Sequence, residues 1–299
     1  MSNIKSWIVA FRLRTLPLSL SCIGMGGFLA YFRGLFDWQI FALSFLTTIF
    51  LQILSNLAND YGDTVFGADN VHREGPDRMV QAGNITLAQM KKMIFFFIVL
   101  SFVLGIILLY LSNLTLTGFI VFLILGILAI IAAVNYTIGM KKPYGYKGFG
   151  DISVYVFFGL LAVLGSYYLY AGSLDIQLVL PASTCGFFAT AVLNINNMRD
   201  IESDRIAGKH SIAGRLGLKK ALIYHAVLLF GGVLLAVIFV VLNYKTPFQF
   251  IFLLSLPLFI KNYLGVKNAV SSSQMDPYLK QMAISTLIFV LLFGIGLML

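Results

Sequence analysis

The sequence predicts an all-α membrane bundle of nine transmembrane helices, and three observations carry that expectation. Hydrophobic residues fill 59% of the 299 positions, charged residues only 11%, and the mean hydropathy is +0.91. A soluble domain cannot hide that much apolar surface. The apolar runs are continuous rather than alternating, which fits helices and excludes a barrel. Most of them also approach the roughly 20 residues that cross hydrocarbon as a helix, one of the two backbones that satisfy their own hydrogen bonds in lipid.

Taken in order, the first span is Leu16–Phe32. Lys5, Arg12 and Arg14 precede it without a cleavage pattern, so it reads as a retained helix. The second, Ile40–Leu57, runs straight into a polar stretch, NLANDYGDTVFGADN, from Asn56 to Asn70. Ile94–Leu111 and Thr115–Tyr136 follow as a pair, then Ile152–Tyr170. The sixth, Leu178–Leu193, again leads into a charged segment, and Ala221–Leu242 is the seventh. The eighth, Phe248–Ile260, is short and holds Pro257; it can extend past Lys261 to Val266 if the lysine turns inward or snorkels. Met282–Leu299 completes the set.

Charge distribution tests the count. With the N-terminus in the cytoplasm and nine spans, the C-terminus lies outside, and of the 21 Lys and Arg residues only Arg33 and Lys245 fall outside with it. A miscounted helix would scramble that asymmetry. Of the twelve acidic residues only Asp37 and Asp175 fall outside, although acids contribute little to orientation. The function is therefore expected at the cytoplasmic loops, residues 58–92 and 194–220, of a single domain spanning 1–299. The basic balance follows the positive-inside rule, and no nucleic-acid partner is expected.

Two constellations carry chemistry. In NNMRDIESD, Asn196, Asp200 and Asp204 recur every fourth residue and share one face if the sixth helix continues past the lipid boundary. Asn59 and Asp63 repeat the start of this ladder, with Asn56 and Asp60 close to the same face, Gly67 at the third rung and Asp69 two residues later. Two such ladders read as half-sites of one pocket. Carboxylate and amide oxygens, with no histidine or thiolate among them, favour a hard cation such as Mg²⁺, which binds a few carboxylates together with substrate phosphates. The bland alternative is that Asp and Asn merely cap helices; the repetition of the spacing argues against it. Cations stand nearby: Arg12 and Arg14, Arg73 and Arg78 in REGPDR, Lys141, Lys142 and Lys147 in YTIGMKKPYGYKGFGD, and Arg199 and Arg205 around the second ladder. The positive-inside rule accounts for most of them; those nearest the carboxylates can neutralise a diphosphate. His72, His210 and His225 lack ligand spacing, and Cys22 and Cys185, each inside an apolar run, read as small buried hydrophobes.

On these paired motifs the chain resembles the UbiA superfamily of intramembrane prenyltransferases, bundles of nine transmembrane helices with aspartate-rich motifs after helices two and six. Asn59 to Asp63, Gly67, Asp69, Arg73, Gly75, Pro76, Arg78, Gln81 and Gly83 resemble the branch that prenylates 1,4-dihydroxy-2-naphthoate, as does the later YTIGMKKPYGYKGFGD. The commoner family motif has Asp where this chain has Gly67. The resemblance implies transfer of a polyprenyl chain from polyprenyl diphosphate to the naphthoate, with loss of CO₂ and pyrophosphate, giving demethylmenaquinone. A related acceptor such as 4-hydroxybenzoate is the alternative.

It further implies two Mg²⁺ ions bridging the diphosphate, with Asp60, Asp63, Asp69, Asp200 and Asp204 as metal ligands. Tyr136 and Lys141 join Asp60, Asp63, Asp200 and Asp204 as catalytic candidates. Asn56, Asn59, Asn196, Arg12, Arg14, Arg73, Arg78, Lys142, Arg199 and Arg205 are the substrate-binding set. The implied setting is the bacterial cytoplasmic membrane, with the site facing the cytoplasm and the isoprenoid tail in an apolar groove. A transporter, the rival from another class, would place its charges near the bilayer midplane on broken helices; here they gather at one face.

Overall fold

The computed structural model describes residues 4–66, 79–138, 148–206 and 210–299, and these form an all-helical protein with no strand among them. Eight helical segments are long and apolar enough to cross a membrane, from Trp38–Gly62 to Ser272–Met298; α1 (Ile4–Phe11) and α2 (Leu16–Phe32), counted together, make a ninth. The chain divides into two compact units, Met1–Leu16 with Trp38–Pro143, and Pro17–Asp37 with Tyr144–Leu299.

The first unit holds α1, α3 (Trp38–Phe66), α4 (Leu87–Leu111) and α5 (Leu116–Ile138). Its core is built from Ile53, Leu54 and Leu57 of α3 and Met90, Ile94 and Phe97 of α4, closed by Met79, Val80 and Ile85 from the segment between them. Phe11 of α1 meets the Phe97 ring edge-on at 5.6 Å. Helix α4 starts where Thr86 and Gln89 satisfy each other's backbone amides, at 3.2 and 3.0 Å. Phe95, Tyr110, Ile124 and Leu128 point outward, as residues solvated by hydrocarbon do.

In this unit the structure corrects two boundaries, and one is the start of the third span, expected at Ile94 and found at Leu87 behind the Thr86 cap. The second span was expected to end at Leu57 and give way to a loop; α3 instead continues to Phe66, 29 residues in all. At 1.5 Å per residue it is about 43 Å long, well beyond the roughly 30 Å of hydrocarbon. The polar residues after Leu57 do not end the helix.

The second unit gathers around α8 (Val179–Arg199). Pro181 to Gly186, and again Phe188 to Ala191, are buried, and small residues dominate the run. Such residues let neighbouring helices come close where there is no hydrophobic drive between them. The closest approach is to the span Gly150–Ala171, made of α6 (Gly150–Val154), a π-helical stretch (Tyr155–Leu164) and α7 (Gly165–Ala171). A Cβ on Gly159 would lie 2.7 Å from the Cα of Gly186, so only glycine fits there.

On its other sides α8 meets α10 (Ile212–Leu242) and α12 (Asp276–Met298). The core here is aromatic: Phe188 stacks on Phe259 at 4.6 Å and meets Phe289 edge-on at 5.0 Å. A polar network runs through it. His225 bonds Asn262 at 3.0 Å; Asn262 donates to Gln281, which donates to Ser285 at 2.9 Å. Cys22 and Cys185 are buried free thiols, as expected.

Two further boundaries move. The eighth span is longer than expected: a 3₁₀ segment, Pro247–Ser255, runs into α11 (Leu256–Asn268), with Pro257 in its first turn, where a missing N–H costs nothing. Lys261 is exposed. The segment 194–220 is largely helical as well: α8 reaches Arg199, α9 covers Ile201–Ile206, and α10 starts at Ile212 behind a Ser211 cap. Gly217, at φ 71° and ψ 161°, sets that first turn apart from the rest of α10.

Candidate active site

The first motif is a helix end, with Asn56, Asn59, Asp60 and Asp63 all on the final turns of α3. Asn56 is buried, and its Nδ2 donates to the carbonyl of Phe11 at 2.9 Å and to Oγ1 of Thr15 at 3.2 Å, tying the entry of the chain to α3. That entry bends at Arg12, a non-glycine residue at φ 49°, whose carbonyl accepts from the amide and hydroxyl of Thr15. Asn59 is half-buried and makes polar contacts of its own.

Asp60 is only 1% exposed. Its Oδ2 accepts from the amide of Met79 at 3.1 Å and its Oδ1 from that of Val80 at 3.5 Å. A carboxylate this deep needs donors, and backbone amides supply them. Asp60 therefore fastens the Met79–Val80 segment to α3, on the side of the unit's core. Asp69, Arg73, Arg78, Lys141 and Lys142 lie outside the described residues, as do the side chains of Arg14, Asp63 and Tyr136.

The second motif keeps the expected register despite a break. Asp200 leaves helical geometry at φ −97° and ψ 12° and caps α8. Its amide still donates to the carbonyl of Asn196 at 3.0 Å, and the amide of Asp204 donates to its carbonyl at 2.8 Å. Asn196, Asp200 and Asp204 thus follow one another up a single face, and the amide Nδ2 of Asn196 reaches Oδ2 of Asp200 at 3.2 Å.

Arg199 dominates the electrostatics. Its guanidinium donates from Nε to Oδ1 of Asp200 at 2.7 Å, and from Nη2 to Oδ2 at 2.8 Å. Nη2 also meets Oδ1 of Asn196 at 2.9 Å, while Nη1 reaches Oδ1 of Asp276 at 2.7 Å. Only 8% of this side chain is exposed, a depth at which a guanidinium needs such partners. Asp204 is half-buried and Arg205 exposed.

Asp276 and Asp151 are the polar groups that sequence reasoning missed. Asp151 is 4% exposed at the start of α6, and accepts from the Tyr224 hydroxyl at 3.3 Å. It closes the stretch YTIGMKKPYGYKGFGD, whose Tyr136, Lys141 and Lys142 are the sequence candidates. Nothing in the spacing marks Asp276, 77 residues beyond its partner. Among the described residues no three His, Cys, Asp or Glu side chains converge on one point. The donors at the second motif are carboxylate and amide oxygens held in place by hydrogen bonds, a set that fits Mg²⁺ and not a soft metal.

Known proteins share this architecture. The profile of the UbiA prenyltransferase family matches residues 19–298. The Escherichia coli protein named 1,4-dihydroxy-2-naphthoate octaprenyltransferase is 45% identical over 299 residues, covering 100% of this chain and 97% of that protein. Its Mycobacterium leprae namesake is 34% identical over 97% of this chain and 95% of its own length. Among solved structures, the apo form of a UbiA homologue from Aeropyrum pernix superimposes with a TM-score of 0.69 at 16% identity, covering 96% and 98% of the two chains. A homologue from Archaeoglobus fulgidus bound to GPP and Mg²⁺ gives 0.58 at 16% identity, covering 97% and 100%. At such identities the archaeal structures speak for the fold alone. The helical bundle, its two aspartate motifs and the full-length matches agree, and the chain belongs to the UbiA prenyltransferase family.

Proposed function

We propose that this protein is a Mg²⁺-dependent aromatic prenyltransferase that moves a polyprenyl group from its diphosphate onto 1,4-dihydroxy-2-naphthoate. The observation that carries this reading is the 45% identity, end to end, with a protein named for that acceptor. The archaeal homologue bound to GPP and Mg²⁺ supports the prenyl diphosphate and the metal.

In this reading Asp60, Asp63, Asp69, Asp200 and Asp204 would hold two Mg²⁺ ions, directly or through water, with Asn59 and Asn196 as polar ligands or orienters. Bound Mg²⁺ neutralises the diphosphate and makes it a better leaving group. Lys141, Arg205 and the arginines near the first motif bind its oxygens, and Arg199 fixes Asp200. The C1–O bond breaks and its electron pair leaves with the diphosphate. The ring carbon bearing the carboxylate forms the new C–C bond. CO₂ then departs, and the electron pair of the broken C–C bond restores the aromatic ring. The product keeps both hydroxyls and is demethylmenaquinone in its reduced form.

The charge distribution supports an N-in, C-out orientation with both aspartate motifs toward the cytoplasm, and the bacterial relatives support a bacterial cytoplasmic membrane, with residues 1–299 read as one domain. The test is an acceptor assay on purified protein with Mg²⁺ and a polyprenyl diphosphate. Diphosphate and CO₂ released with 1,4-dihydroxy-2-naphthoate support the assignment. Activity with 4-hydroxybenzoate alone would keep the family and overturn the acceptor.

A further inference from the structure

Asp276 opens α12, 77 residues past Arg199, and shares that arginine's guanidinium with Asp200. We propose that Asp276 is a positioning residue for metal–diphosphate binding, acting through Arg199 to fix the carboxylate of Asp200. The proposal rests on the reading of Asp200 as a metal ligand.

Geometry supplies the first reason. Nε and Nη2 of Arg199 meet the two oxygens of Asp200 side-on, at 2.7 and 2.8 Å, so the rigid fork sets the plane of that carboxylate. The far corner of the fork, Nη1, is held by Asp276 at 2.7 Å, which fixes the guanidinium on the side away from Asp200. Asn196 steadies the same assembly through Nη2 and through Oδ2 of Asp200. Mg²⁺ demands near-ideal octahedral geometry from its ligands, so a carboxylate locked in one plane is worth more to it than a free one.

Charge supplies the second. A guanidinium paired with one carboxylate is neutral and offers little to a dication. Shared between Asp200 and Asp276, it leaves the group with one net negative charge. The side chain of Asp276 is 40% exposed against 21% for Asp200, so Asp276 is the more solvated of the two. Its part is to hold the arginine.

The experiment follows Mn²⁺ binding by electron paramagnetic resonance, on the full chain in detergent with inorganic diphosphate present. Partners that orient metal ligands are worth about 10- to 100-fold in affinity, so Asp276→Ala is expected to weaken Mn²⁺ binding about tenfold. Asp276→Asn, which keeps the acceptor and loses the charge, should fall between it and the native protein, and Asp276→Glu should restore most of the loss. The Mg²⁺ concentration for half-maximal turnover should rise in parallel, with KM for the aromatic acceptor unchanged. Arg199→Lys, which lacks the fork, should reproduce the loss and serves if Asp276→Ala does not fold. Native Mn²⁺ affinity in Asp276→Ala, or a loss matched by an equal rise in acceptor KM, overturns the proposal. Asp200→Ala separates the two claims: native binding there sinks the metal reading itself, whereas lost binding there with none lost in Asp276→Ala sinks only the positioning role.

Discussion

The two aspartate motifs share the Asn-x₃-Asp spacing, and the structure surrounds them differently. In the first, Asp60 is sealed at 1% exposure and its oxygens accept from the backbone amides of Met79 and Val80. In the second, Asp200 is 21% exposed at a helix end, and its partners are side chains, Arg199 and Asn196. Backbone amides cannot leave without unfolding the segment that carries them, whereas a guanidinium can share or shift. The first motif is thus built as much to hold a segment as to hold a ligand, and the second is arranged around the charge of one carboxylate. Equal spacing in sequence does not mean equal duty in the fold.

That contrast can be broken by separating turnover from stability. The largest effect is expected at Asp200. Asp200→Ala should lower turnover on the order of a thousandfold, the scale of losing a main electrostatic stabiliser of a leaving group, with expression unchanged. Chelation with EDTA should do the same to the native enzyme, reversibly on adding Mg²⁺. Near-native turnover in Asp200→Ala would end the metal reading of the second motif.

Asp60→Ala comes next, and here stability should suffer. Two buried amides lose their acceptor, each unsatisfied group costing about 1–3 kcal/mol, which should appear as a lower melting temperature in detergent. If Asp60→Ala melts like the native protein, its carboxylate does not hold the Met79–Val80 segment and the contrast collapses. Asn56→Ala is the mildest. It removes hydrogen bonds to the carbonyl of Phe11 and to Thr15, worth about 1 kcal/mol each, and should lower stability with little effect on turnover. A large loss of turnover at native stability would place Asn56 against the substrate instead.

How much of this was legible in the sequence depends on which physics decides each feature. Hydrocarbon imposes length and continuous apolarity, so the spans could be read from Leu16 to Leu299. Their ends could not. Leu57 looked like a terminus because Asn and Asp follow it, but in water those residues cost a helix only tenths of a kcal/mol apiece, and α3 runs on to Phe66. The 196–200–204 ladder was legible because it is local, and its register survives the break at Asp200. Asp60's grip on Met79 and Asp276's on Arg199 were not, since each joins residues that no periodicity relates. The reach of Asp276 to Arg199 is set by how α12 packs on α8, which no local pattern encodes.

The central proposal is that binding of metal and diphosphate needs both aspartate motifs. It is tested most directly by titrating Mn²⁺ into the protein with inorganic diphosphate, comparing the native chain with Asp63→Asn and with Asp200→Asn. Each substitution alone should weaken binding at least tenfold, the scale on which a single outer partner of a metal ligand already acts. Native affinity in either variant would contradict a site that needs both motifs.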